Sequence, residues 1–175
     1  AYASTRRRSV NFAVYLVEPS NPETDHQIAG GEGDYIPSSF SDSGRQLAIV
    51  RWMSHVNSRF YIYDLDTETL QEQLPQLGDS SFFSYPVFVD SAVYFITDFN
   101  NQFRRLMKAD LETKQLYEIP GQLSWDVEML QLTPDRSEIL FTVNENGRSE
   151  LYRLELSSKK IRKVDNIPGI SVRDI

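Results

Sequence analysis

Residues 108–113 read KADLET, and the phrase has counterparts along the chain: IYDLDT at 62–67, RLELSS at 153–158 and YLVEPS at 15–20. Aligned on the acid, Glu18, Asp64, Asp110 and Glu155 stand 46, 46 and 45 residues apart. A fixed period of that length decides the architecture, because it makes each stretch one copy of a supersecondary unit. An isolated acid at the end of an apolar run, followed by Ser, Thr or Asp, reads as a capped turn rather than a calcium ligand.

Working upstream from each acid, three units carry a second landmark. The stretches FSDSGRQLAIV (40–50), FVDSAVYFI (88–96) and LTPDRSEILFTV (132–143) each place an aspartate, Asp42, Asp90 or Asp135, before a strand-like apolar run. Turn residues and alternating runs then predict four strands per unit: 36–40, 46–52, 59–64 and 70–74; 85–88, 92–97, 103–110 and 115–119; 127–132, 138–143, 150–155 and 160–164. Helical periodicity is absent over any useful length.

Four antiparallel strands every 45 or so residues describe the blade of a β-propeller, whose sheets stack radially and bury their apolar faces against one another. The expected fold is all-β: an arc of four-stranded antiparallel blades, with a partial blade at 1–33, full blades at 34–80, 81–122 and 123–167, and the start of a further blade at 168–175. A four-bladed ring, closed by strand exchange between the first and last segments, is the rival. An open arc leaves a sheet face uncovered at each end, which predicts a sticky or marginally stable segment.

Composition narrows the function classes. Of 175 residues, 40% are hydrophobic and 25% charged, which is globular. The net charge is -7 and the only basic run is Arg6-Arg7-Arg8, which disfavours a nucleic-acid partner. No apolar stretch is long enough for a membrane helix. The absence of cysteine removes thiol nucleophiles and the commonest zinc sites. The chain starts at AYASTRRR and stops at SVRDI, as cut ends would.

The upstream turns resemble the Ser-Pro-Asp-Gly turn of TolB-like propellers and of the prolyl oligopeptidase family of serine peptidases. FSDSGRQLAIV keeps the aspartate and glycine, and LTPDRSEILF keeps Pro134-Asp135 with Arg136 where glycine is usual. ITDFNNQFRRLMKADLETKQL (96–116) and WDVEMLQLTPDRSEILFTVNENGRSELYRLEL (125–156) are similar to successive blades of the peptidase branch. The resemblance extends over about residues 12 to 170. It implies a non-catalytic N-terminal propeller that gates short peptides to an α/β-hydrolase domain of the same polypeptide, where the catalytic residues lie. The alternative is a TolB-like periplasmic scaffold for protein–protein interaction. The expected location is cytoplasmic, with the periplasm second.

Residue by residue, the chain itself carries no catalytic constellation. Gly78-Asp79-Ser80 and Gly169-Ile170-Ser171 lack the closing glycine of a nucleophile elbow. Ser41-Asp42-Ser43-Gly44 has no histidine to activate a hydroxyl and reads as a turn in which Asp42 bonds backbone amides. His26 and His55 belong to separate units, and no metal or cofactor is implied. Candidate substrate contacts are Trp125, Asp126 and Glu128 at the start of a blade, where a carboxylate suits a peptide amino terminus and an indole suits a side chain. Arg104 and Arg105 are adjacent in an alternating strand, so one faces solvent or a partner and the other the next sheet, paired to an acid if buried.

Overall fold

The computed structural model describes residues 1–6, 10–74, 81–121 and 124–165, and every described element is a strand. The strand expected at 168–175, the Gly78-Asp79-Ser80 and Gly169-Ile170-Ser171 triplets and the ends of the expected blades near 80, 122 and 167 lie outside these residues. The first sheet has three strands, β1 (Tyr2–Ser4), β2 (Ala13–Glu18) and β3 (Asn21–Ala29). The second comprises β4 (Asp34–Phe40), β5 (Gln46–Ser54), β6 (Asn57–Asp64) and β7 (Thr69–Gln73). The third comprises β8 (Phe83–Val89), β9 (Ala92–Thr97), β10 (Arg105–Asp110) and β11 (Leu116–Glu118). The fourth comprises β12 (Val127–Leu132), β13 (Glu138–Glu145), β14 (Arg148–Glu155) and β15 (Lys160–Lys163).

Every sheet is an antiparallel meander whose neighbours in space are neighbours in sequence. The twelve expected strands all form, and β9 and β12 have the expected ends. β8 lies beside both β4 and β12, so the first strands of the second, third and fourth sheets sit together on the axial side of the arc. The sheets stack face to face through three apolar clusters. Val14 and Ala29 meet Tyr35, Leu47 and Ile49 between the first two sheets. Phe60, Ile62 and Leu74 meet Phe83, Phe88 and Phe95 between the next two. Tyr94, Ile96 and Leu106 meet Ile139, Phe141 and Leu154 between the last two. The arc is a partial propeller: Tyr94 and Leu106 are 1% and 0% exposed, whereas Leu140 and Leu151, their counterparts in the fourth sheet, remain half-buried.

The capped turns after the repeating acids are one device used three times. Asp64 Oδ1 accepts from the amides of Asp66 and Thr67 at 3.1 and 2.9 Å, and Asp110 Oδ1 accepts from those of Glu112 and Thr113 at 3.0 and 2.8 Å. Glu155 reaches less far and accepts from the Ser158 hydroxyl at 2.6 Å. Four residues past each acid the chain turns left-handed at Glu68, Lys114 and Lys159, with φ of 53°, 58° and 58°. These are unfavourable angles for residues with a Cβ, held by the turn around them.

The caps predict a pH dependence. The Thr67 amide and hydroxyl hold the Asp64 carboxyl below the usual range, the Thr113 groups do the same for Asp110, and the Ser158 hydroxyl does so for Glu155. A carboxyl with a depressed folded-state pKa stabilises the fold above its unfolded value, about 4, and that contribution is lost as pH falls through the folded value. Urea midpoints are therefore expected to be level between about pH 7 and 5 and to drop below about pH 4. A midpoint that holds to pH 3 would contradict it.

The other corner corrects the sequence alignment. The left-handed positions there are Gly44, Asp90 and Arg136, with φ of 70°, 53° and 58°, spaced at 46-residue intervals. Asp90 therefore occupies the glycine position in a tight turn between Val89 and Ala92, and is not the equivalent of Asp42 or Asp135. The main-chain bonds Ser41 N to Gln46 O and Thr133 N to Glu138 O superpose the two longer corners, so Asp135 matches Ser43 and Pro134 matches Asp42.

The expectation that Asp42 bonds backbone amides is likewise corrected. The serines do that work: Ser41 Oγ accepts from Gln46 N at 3.1 Å and Ser43 Oγ from Arg45 N at 3.3 Å, as Thr133 and Asp135 do in the fourth sheet. Asp42 instead pairs with the Arg136 guanidinium, which also donates to Phe88 O at 2.6 Å. That contact links the second, third and fourth sheets.

Candidate functional site

Trp125, Asp126, Glu128, Arg104 and Arg105 lie around the end of the arc where β4, β8 and β12 begin, opposite the Asp42 corner. The structure brings all five to one region, and gives several of them partners within the fold. Asp126 Oδ1 accepts from Arg104 N at 2.7 Å, while Val127 N donates to Arg104 O at 3.1 Å. The same pair of bonds appears 92 residues earlier, where Asp34 Oδ1 accepts from Phe12 N at 2.8 Å and Tyr35 N donates to Phe12 O at 2.9 Å. An acid at the entry to a sheet thus clamps the chain of the preceding sheet. At the junction between these two, Ser58 stands in place of Phe12 and Arg104. Its hydroxyl donates to Phe83 O at 2.7 Å and accepts from Phe83 N at 2.6 Å.

Glu128 sits at a bulge in β12, where the register shifts between Val127 and Met129, and turns back into its own sheet. Its carboxylate oxygens accept from Asn144 Nδ2 at 2.9 Å and Ser149 Oγ at 2.7 Å. Arg105 is mostly buried, 4.0 Å from Glu118 Oε1, with its guanidinium 5.8 Å from the Phe103 ring centre. It is the arginine that lies against protein. Arg104 immediately precedes β10 and presents its guanidinium 4.0 Å over the Phe82 ring. Trp125 is 42% exposed, and its ring lies 6.4 Å from that of Phe103.

A cleft that sequence reasoning missed adjoins this cluster. It encloses about 340 Å³ and takes Ile36 and Pro37 from β4, Val50 and Trp52 from β5, and Ser84 and Tyr85 from β8. No charged side chain lines it among the described residues. Trp52 meets Phe82 edge-on at 5.2 Å, so one aromatic ring separates the cleft wall from the Arg104 guanidinium. β8 is bulged between Ser84 and Val87, and Tyr85 takes φ 51° with its side chain 41% exposed. The hydroxyls of Ser38 and Ser39 both donate to Pro86 O, at 2.9 and 2.8 Å, which holds the bulge against β4. The sequence signal was Pro86 inside a strand-like run, since proline in a sheet marks an edge strand or a bulge.

His26 and His55 remain far apart in the fold's chain order, His26 on β3 and His55 in the turn after β5, and no cluster of three metal-ligating side chains occurs among the described residues. His55 packs edge-on against Trp52 at 5.8 Å.

No family model matches the chain, and no curated protein is similar to it in sequence. Solved structures do match. TolB from Acinetobacter baumannii is 17% identical with a TM-score of 0.70 over 91% of this chain and 39% of its own. A putative TolB from Agrobacterium tumefaciens is 11% identical with a TM-score of 0.69 over 87% of this chain and 56% of its own. Prolyl oligopeptidase B from Galerina marginata is 13% identical with a TM-score of 0.73 over 94% of this chain and 25% of its own. The chain thus spans between a quarter and just over half of these proteins. The expected cytoplasmic location is corrected by the TolB matches, since TolB is the periplasmic branch of the resemblance and matches nearly the whole chain. At these identities the likeness is one of fold, and the fold is that of the TolB and prolyl oligopeptidase propellers.

Proposed function

We propose that this chain is the non-catalytic propeller arc of a serine peptidase acting on oligopeptides, admitting short peptides to an α/β-hydrolase domain of the same polypeptide. The observation that carries the reading is the match of 94% of the chain to 25% of an oligopeptidase, which was solved with a 35-residue substrate. The exposed Trp125, the stacked Arg104 and the apolar cleft on one rim are groups suited to peptide contact. Asp126, Glu128 and Arg105 serve in this reading as the frame that positions the rim. The parent reading frame is expected to encode a Gly-x-Ser-x-Gly elbow downstream. The parent protein should hydrolyse short peptides and spare folded ones, and the 175-residue chain alone should show no turnover. A reading frame that ends without a hydrolase domain would sink the proposal.

The TolB matches favour a second reading, a propeller scaffold that recruits protein partners through one mouth of the ring. A leader segment in the parent and stable capture of an envelope protein would select it.

A further inference from the structure

We propose that the cleft between β4, β5 and β8 is a subsite for the carboxyl-terminal residue of a peptide, taking an apolar side chain into the cleft and its free carboxylate onto Arg104. The proposal deepens the peptide-selecting reading above and rests on it. Three independent observations converge on this chemistry.

The first is an unsatisfied group. Ser84 is 6% exposed, lines the cleft, and its Oγ has no hydrogen-bond partner. A buried hydroxyl without a partner is unfavourable, and a ligand that supplies a main-chain N–H or C=O at that point relieves it. The second is the lining. Ile36 and Tyr85 are 42% and 41% exposed at the rim, and Pro37, Val50 and Trp52 complete an uncharged wall, so the side chain that fits is aliphatic or aromatic.

The third is charge. Arg104 lies one ring away from the wall, stacked on Phe82 and engaged by no carboxylate among the described residues. Asp126, the acid beside it in the fold, is occupied by the Arg104 amide rather than its guanidinium. A guanidinium held by stacking keeps its N–H edge free for a carboxylate, which it binds in bidentate fashion. A peptide ending in an apolar residue carries both required groups on one Cα.

The test uses the unaltered full chain, with binding read by titration calorimetry and acetyl-Ala-Ala-Phe supplied as the free acid and as the carboxamide. The acid is expected to bind at least about tenfold more tightly than the amide, as loss of a charge-assisted pair implies. Arg104→Gln should bring the acid to the affinity of the amide. Ser84→Ala should weaken both peptides while leaving the urea midpoint level or raised, because the hydroxyl it removes has no partner in the free protein. Equal affinity for acid and amide would overturn carboxylate capture and leave the peptide-selecting reading standing. Binding of neither would overturn the cleft as a subsite, whereas the peptidase reading itself falls only if the parent lacks a hydrolase domain.

Discussion

Replacing Phe95 by alanine is expected to destabilise the chain by about 3–5 kcal/mol, the cost of truncating a fully buried phenylalanine, and to lower Tm by roughly 6–20 °C for a domain of this size. Phe95 is 1% exposed on β9, a strand buried at every residue, and packs 5.5 Å from Phe83 within the cluster that joins the second and third sheets. β9 owes that burial to a sheet on each side. Stacked repeats hold together through nearest-neighbour interfaces, so the loss falls on the contact between sheets as well as on one side chain. Hydrogen exchange should then lose protection in β6 and β8 as well as in β9. Tyr117→Ala provides the contrast: Tyr117 is 46% exposed on the outermost strand of the same sheet and should shift stability by no more than about 0.5 kcal/mol. A Phe95 variant that unfolds within about 1 kcal/mol of the unaltered chain would mean that the second and third sheets do not stack as described.

The reason β9 was legible from sequence is the reason it matters. AVYFIT is a continuous apolar run bounded by turn residues, the pattern of a strand covered on both faces, and it begins and ends where that pattern does. The 46-residue period carried the fold because Asp64 and Asp110 cap equivalent turns, and that capping needs a short acid at one fixed place. The second landmark misled for a related reason. An aspartate can serve a corner in two ways, by accepting backbone amides, as Asp135 does, or by taking a left-handed φ, as Asp90 does. The letter is the same and the position differs by one residue. Asp42 does neither, because serines 41 and 43 already satisfy the corner and leave its carboxylate for Arg136.

Trp125 stands where a blade begins, as WDVE implied, whereas the sequence did not show that Arg104 lies on the same rim. That Asp126 would hold a neighbouring main chain could not be read from WDVE. Its counterpart Asp34 lies 92 residues away, and at the intervening junction the side chain that bonds a neighbouring main chain is Ser58, at the position of Phe12 and Arg104. The cleft escaped notice because its chemistry is a strand defect: the Ser84 to Val87 bulge exposes Tyr85 and strands the Ser84 hydroxyl, and only Pro86 betrays it.

Ser58 tests whether these junctions are clamps. It is 0% exposed, and its single hydroxyl serves both main-chain groups of Phe83, itself only 3% exposed, while its own amide donates to Ser81 O at 3.1 Å. Ser58→Ala removes one oxygen and leaves a buried N–H and a buried C=O without partners, far enough from solvent that water does not replace it. The expected loss is about 2–6 kcal/mol, from about 1–3 kcal/mol for each of the two orphaned groups. Ser43→Ala gives the matched control, because the Ser43 hydroxyl also accepts a backbone amide but stands at an exposed corner where water can substitute. It should cost less than about 1 kcal/mol. The two serines make similar bonds on paper, and burial alone separates them. Equal urea midpoints for the two variants would therefore show that the Ser58 junction is hydrated, and that the second and third sheets are joined by their apolar cluster without a polar clamp.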